Sequence, residues 1–145
     1  MFIKQISVFL ENRPGTLREL TSVLGEGNVD IRELSVADTQ TFGIVRMLVR
    51  ADQMDDAMTL LRKNGYTARL NSVICAEIED KPNALSRLLG IIEDEKLSVE
   101  YIYSCRRTPT GNALMVLRLS EMDRGQEVLT RNGIPMHTQE EMDRY

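Results

Sequence analysis

The chain contains no tryptophan, one histidine and two cysteines in 145 residues, and aromatic residues make up only 5% of it. With His137 as the single histidine, neither a histidine-rich metal site nor a histidine-based catalytic triad can be assembled. Its expected place is the surface of a strand near the chain end. Cys75 and Cys105, beside eight methionines, fit a pair of buried, reduced thiols in a cytoplasmic protein rather than a disulfide. A shortage of aromatics and of basic charge excludes a nucleic-acid binder, since the net charge is −4 and the pI about 5.1, whereas a phosphate-coating surface needs a basic excess. No apolar run approaches the roughly 18 residues of a membrane helix. Met1 leads directly into a strand-like segment, so no signal peptide is expected. Phosphate-loop and dinucleotide glycine fingerprints are missing. The carboxylates are scattered, without a convincing catalytic pair. No cofactor and no metal are expected.

What is present is a repeat. Residues 11–17 read ENRPGTL and residues 79–85 read EDKPNAL, an offset of 68 residues. The offset continues without a gap: Leu20 falls on Leu88, Leu24 on Ile92, Ile31 on Val99, Gly43 on Gly111, Met47 on Met115, and Asn64-Gly65 on Asn132-Gly133. A repeat this long carries a whole small fold, so the chain reads as a duplication, with domains at residues 1–71 and 72–145. Units of about 70 residues are marginal alone, and burial between them is expected to help.

Periodicity supplies the elements. Ile6, Val8 and Leu10 alternate, as do Ile74, Ala76 and Ile78, which marks strands with one buried face. Pro14 and Pro82 suit the first helical position, where a missing N–H costs nothing. Leu17, Leu20, Val23 and Leu24, then Leu85, Leu88, Leu89 and Ile92, switch to helical spacing. Second strands are expected at 30–37 and 98–105, short connections at 38–41 and 106–110, third strands at 43–50 and 111–119, second helices at 53–64 and 121–132, and fourth strands at 66–70 and 134–138. Each half is then β-α-β-β-α-β, an α+β ferredoxin-like unit with both helices on one face of an antiparallel sheet. Asn71 and Ser72 join strand to strand, so a close, fixed relation of the halves is expected. On the third strands Ile44, Leu48, Leu114 and Val116 stand with Arg46, Arg50 and Arg118 on the face away from the helices. A half-apolar open face points to a packing partner, and a homodimer is the expected one.

A βαββαβ unit with an acidic or amide residue, a basic residue, Pro and a small residue between strand one and helix one resembles the ACT domain. Gly27-Asn28-Val29-Asp30-Ile31 adds to the match, because the family tends to carry a Gly-x-Asn-Ile stretch there. The resemblance covers the whole chain as two units and is greatest to stand-alone tandem ACT proteins. It implies a non-catalytic regulatory protein that binds a small molecule, usually an amino acid. It also implies side-by-side pairing of units through second strand and first helix. Ligand would sit between the helix-one loop of one unit and the start of strand two in its neighbour.

The residues make chemical sense of this. A free amino acid is a zwitterion, and a helix N-terminus offers unpaired N–H groups and partial positive charge to its carboxylate. Gly15 lets a ligand approach the backbone closely. Asn12 carries both a donor and an acceptor. Asp30 stands where the family often has Asn and could take the ammonium. The candidate ligand-binding residues are therefore Asn12, Arg13, Pro14, Gly15, Thr16, Leu17, Asp30 and Ile31, with Ser98, Val99 and Tyr101 closing the pocket from the second unit. A tight strand-to-helix turn without ligand is the competing reading of Asn12, Pro14 and Gly15; Asp30 also suits a turn, Tyr101 and Tyr103 also suit ordinary strand aromatics, and Arg13 and Lys81 are expected in solvent. In the second copy Asp80, Asn83 and Ser98 replace Asn12, Gly15 and Asp30, so unequal sites are expected, with the first loop the better binder. The rival to an amino-acid sensor is a protein–protein interaction module, such as a regulatory subunit of a biosynthetic enzyme with no ligand of its own. A ferredoxin-like hydrolase of the acylphosphatase kind, with Arg13 and Asn12 as its anion loop, is a third reading that turnover of acyl phosphates would test.

Overall fold

A computed structural model of the chain describes residues 2–38 and 41–145. They form two compact units, Lys4–Asn71, and Ser72–Tyr145 together with residues 2–3. In the first unit the alternation of Ile6, Val8 and Leu10 becomes β1 (Ile3–Glu11). It is followed by α1 (Thr16–Glu26), β2 (Ile31–Asp38), β3 (Phe42–Val49), a 3-10 turn at Ala51–Gln53, α2 (Met54–Lys63) and the first part of β4 (Thr67–Ile78). β3 pairs antiparallel with β1 through Ile6↔Met47 and Val8↔Val45, and with β2 through Leu34↔Met47 and Val36↔Val45. Opposed residues share a face, so Ile6, Val8, Val45 and Met47 all point to the helices, where Leu20, Leu24, Ala57, Met58 and Leu61 complete the core. Burying one such side chain is worth about 1.5–3 kcal/mol. The connection expected at 38–41 lies partly outside the described residues.

The second unit takes up the rest of β4, then α3 (Ala84–Asp94), β5 (Val99–Arg107), β6 (Ala113–Leu119), α4 (Met122–Arg131) and α5 (Gln139–Arg144). β6 is antiparallel to β4 (Ile74↔Leu117, Ala76↔Met115) and to β5 (Ile102↔Leu117). Ile74, Ala76, Leu88, Ile92, Leu117, Leu119, Val128 and Leu129 form its core. In each unit the fourth segment lies beside the first strand, then come the third and the second, as the βαββαβ order requires. Both second helices stop at Asn-Gly, with Gly65 and Gly133 at φ of 83° and 70°, a left-handed position suited to glycine.

Three expectations are corrected. Asn71 and Ser72, expected to join the strand at 66–70 to that of Ile74, Ala76 and Ile78, lie within one continuous strand, β4. The fourth strand expected at 134–138 is reduced to a bridge between Ala76 and Met136, flanked by Glu77 N–H donating to Pro135 C=O at 2.8 Å and His137 N–H to Cys75 C=O at 2.9 Å. Pro135 has no N–H to continue a ladder, and the chain turns into α5, started by a capping box between Thr138 and Glu141. Third, the open face of the second sheet carries a cover from its own unit. His137 Nε2 lies 2.6 Å from Glu77 Oε2, Cys75 Sγ 3.4 Å from Met142 Sδ, and Arg106 Nη1 donates to the Tyr145 carbonyl at 2.5 Å. Leu114 and Val116 share that face with Glu77 and Cys75 and are fully buried, so they do not form the open apolar surface expected of them. His137 is correspondingly a buried side chain rather than a surface one.

Candidate functional site

In the first unit the loop between β1 and α1 is fastened from inside. Thr16 Oγ1 donates to the carbonyls of Glu11 and Arg13, each at 3.0 Å. Arg13 Nε donates to Glu11 Oε2 at 2.6 Å in an exposed pair, and the same pairing recurs between Lys81 and Glu79 in the second unit. Arg13 and Lys81 are thus exposed, as expected, but each is held by a carboxylate two residues back. Such exposed pairs add little to stability. Lys81, followed by Arg87, holds the Glu79 carboxyl below its ordinary range. Gly15 sits at φ 88°. Its counterpart Asn83 sits at φ 71°, and asparagine is among the few residues that tolerate this region. The small or amide residue after Pro-14 and Pro-82 thus answers a backbone demand in both units. A Cβ at position 15 would meet nothing within 4 Å, so the space above it is open. No side chain caps α1, which leaves first-turn amides without an intrahelical partner.

The loop leans over the far end of the sheet. Asn12 Nδ2 donates to Asp38 Oδ1 at 3.0 Å. Asn12, Arg13, Gly15, Thr16 and Leu17 line a cavity of about 210 Å³ with Leu10, Glu11, Val36, Asp38, Gly43 and Val45. Five of the sequence-selected residues therefore come together, and Pro14 stands exposed in the same turn. Asp30 and Ile31 do not face this loop in their own unit. Ile31 pairs with Val49, whereas Asp38 pairs with Gly43, and six residues of strand separate those rungs by about 20 Å. Asp30 N–H donates to Gln53 Oε1 at 3.1 Å, and Gln53 Nε2 donates to the Asn28 carbonyl at 2.9 Å, so Asp30 begins β2 beside the turn into α2. In the second unit, Ser98 exchanges backbone and side-chain hydrogen bonds with Ser120. Val99 pairs with Leu119 and Tyr101 with Arg118 on β5. Asp38 and Val36 were missed from sequence: their roles depend on a rung of β2 meeting a loop 26 residues away in the case of the Asn12 contact, and no local pattern marks them.

At the corresponding end of the second unit the chemistry differs. Asp80, in the place of Asn12, forms an ion pair with Arg107 at 2.6 Å. Asn112 Nδ2 donates to Glu77 Oε1 at 2.6 Å. That hydrogen bond, with the smaller effect of His137, draws the Glu77 carboxyl below its ordinary value near 4.5. Among the described residues no group of three or more His, Cys, Asp or Glu is placed to hold a metal ion; the two cysteines form no disulfide, and Cys75 is buried whereas Cys105, expected to be buried too, is half-buried.

Two βαββαβ units, each with a Pro-containing turn leading into its first helix, define a tandem ferredoxin-like protein. Residues 1–144 match the family model described as an ACT domain pair. The crystal structure of protein BT0572 from Bacteroides thetaiotaomicron is 32% identical, covers 100% of this chain and 98% of its own, and superposes with a TM-score of 0.88. The ligand-free regulatory subunit of aspartate kinase from Thermus thermophilus is similar at 12% identity and a TM-score of 0.60, over 88% of this chain and 91% of that one. The regulatory subunit from Thermus flavus is similar at 14% identity and a TM-score of 0.64, over 88% of each chain. These last two share the fold. No curated protein matches the chain. The chain belongs to the ACT domain pair family.

Proposed function

We propose that this protein is a non-catalytic regulatory module of the cytoplasm that binds a free amino acid at the β1–α1 loop of its first unit. The observation that carries the reading is the 210 Å³ cavity formed by that loop against β2 and β3. It is smaller than the roughly 300–1,000 Å³ typical of drug-sized ligands, which suits a small metabolite. The uncapped start of α1 offers amides to a carboxylate, and Asn12 can serve either end of a zwitterion. Asp30, Ile31, Ser98, Val99 and Tyr101 complete the enclosure in this proposal as strand-start residues of a neighbouring ACT unit. Asp30 and Ile31 serve a loop other than their own, because they stand at the opposite end of their own sheet. The edge strand β2 exposes Leu34 and Val36, at 43% and 51%, and homodimer formation through β2 and α1 is the pairing that would cover them. Output passes through oligomeric state or a partner enzyme.

Thermal unfolding of the full chain across the twenty amino acids tests this. A ligand at a hundred times its dissociation constant stabilises the folded form by about 2.7 kcal/mol, which for a chain of this size raises the melting temperature by roughly 5–11 °C. A flat panel counts against the reading. The interaction-module alternative is favoured by Phe9 and Phe42, exposed at 38% and 40% with ring centroids 6.1 Å apart. A stable enzyme partner co-purifying from the native host, together with no amino-acid response, would select it.

A further inference from the structure

The walls of the first-unit cavity specify more than a generic amino acid. Four of its lining residues are aliphatic: Leu10 and Val45 are buried, while Leu17 and Val36 are 37% and 51% exposed. Two of the chain's few exposed large apolar side chains thus converge on one small hollow with a polar rim, the usual anatomy of a ligand site. Position 43 has no side chain and leaves the floor of the hollow open. Gly43 is opposed to Leu10 on β1 and to Asp38 on β2, so its missing Cβ would point to the same face as theirs. A Cβ there would find the Ala37 carbonyl at 3.4 Å and Val36 Cγ1 at 3.9 Å, ordinary contacts that leave the hollow as spare volume. At the rim Asp38 presents a carboxylate, one oxygen of which accepts from Asn12. A carboxylate beside an aliphatic hollow complements an ammonium group attached to a short branched hydrocarbon.

Resting on the amino-acid reading above, we infer that the ligand is an aliphatic α-amino acid of valine or leucine type. Its side chain occupies the hollow over Gly43 among Leu10, Leu17, Val36 and Val45, and its ammonium is held by Asp38. The second unit takes no such ligand at the matching place. There Ser104 stands at the repeat position of Val36 and Arg106 at that of Asp38, and the loop aspartate, Asp80, is already paired with Arg107 at 2.6 Å, so one wall residue is polar and a cation replaces the carboxylate that would hold the ammonium.

The test is calorimetric titration of the full chain with valine, leucine, isoleucine, alanine, aspartate, lysine and phenylalanine, repeated on Gly43→Val and Asp38→Asn. Gly43 is not among the residues with positive φ, so a β-branched replacement suits its strand, and circular dichroism confirms that each variant is folded. The expected result is one site per chain for a branched aliphatic amino acid. Alanine should bind at least about tenfold more weakly, as loss of methylenes from an apolar pocket dictates. Asp38→Asn should weaken binding by roughly 10- to 100-fold, the range for losing a charged hydrogen-bond partner, and Gly43→Val should abolish it. A charged or aromatic amino acid that binds best, and is lost in Gly43→Val, overturns the aliphatic assignment while leaving the amino-acid reading intact. An aliphatic ligand whose affinity is unchanged in Gly43→Val overturns the assignment by placing the site elsewhere. Failure of valine, leucine and isoleucine to bind overturns the aliphatic assignment, and a flat thermal panel across all twenty amino acids removes the amino-acid reading as well.

Discussion

Replacing Glu77 with alanine should uncouple the C-terminal segment from the second sheet. Glu77 Oε1 accepts from Asn112 at 2.6 Å, and its Oε2 lies 2.6 Å from His137 Nε2, with side-chain exposures of 10% for His137 and 16% for Glu77. His137 Nδ1 is in turn 2.9 Å from the Tyr145 hydroxyl. Two hydrogen bonds to a carboxylate are therefore lost at once, each worth about 1.5–3 kcal/mol, and water can replace part of them because the cluster is not fully enclosed. The net cost should be about 2–4 kcal/mol, read from urea unfolding of the parent and variant at neutral pH. Glu77→Gln, which keeps an acceptor for Asn112 but no charge, should fall between. The pH dependence has a definite sign. The Asn112 bond, and secondarily His137, lowers the folded-state pKa of Glu77 below its ordinary value near 4.5. Its contribution is thus complete above that value and is lost as pH falls through the lowered one. The gap between parent and Glu77→Ala should shrink on acidification. A cost under about 0.5 kcal/mol at neutral pH, the level of an ordinary surface substitution, would refute the reasoning, as would a gap that widens in acid.

Other outcomes follow from the same geometry. Gly15→Asn should be tolerated within a few tenths of a kcal/mol, whereas Gly15→Val should cost about 1–2 kcal/mol by forcing a β-branched residue to φ 88°; thermal unfolding of the pair measures the difference, and equal stabilities would show that the turn relaxes. Met142→Ala should loosen α5 and destabilise by about 2 kcal/mol, the low end for a buried methionine. Cys75, which Met142 touches at 3.4 Å, should then react faster with a thiol reagent, and an unchanged rate would mean that α5 does not shield it.

Most of the fold was legible because both halves repeat the same switch from period two to helical spacing, and each reading supports the other. Leu20 and Leu88, at equivalent positions, are both buried against their own sheets. Legibility failed where structure depends on contacts distant in sequence. His137 looks like a strand-end surface residue until Glu77, 60 residues earlier, is placed beside it. The short fourth segment reads as a strand because Ile134 and Met136 alternate, while Pro135 between them prevents a full ladder. The capping pattern Thr138-x-x-Glu141 was a local signal for α5 that could have been read. Within the candidate site the loop was visible as a repeated phrase, but its floor was not. Gly43 reads as an ordinary strand residue, and only the register of β3 against β1 and β2 sets it between Leu10 and Asp38.

The central claim is that an amino acid lodges at the loop that starts α1. Nitrogen–proton correlation spectra of the labelled full chain, recorded while adding the amino acid that raises its melting temperature, address it residue by residue. The account expects saturable shifts at the amides of residues 12, 13 and 15–18, the exposed turn and uncapped start of α1, and at Asp38 on the cavity rim and Gly43 on its floor. Shifts confined to other regions, or a spectrum that does not change, would contradict it.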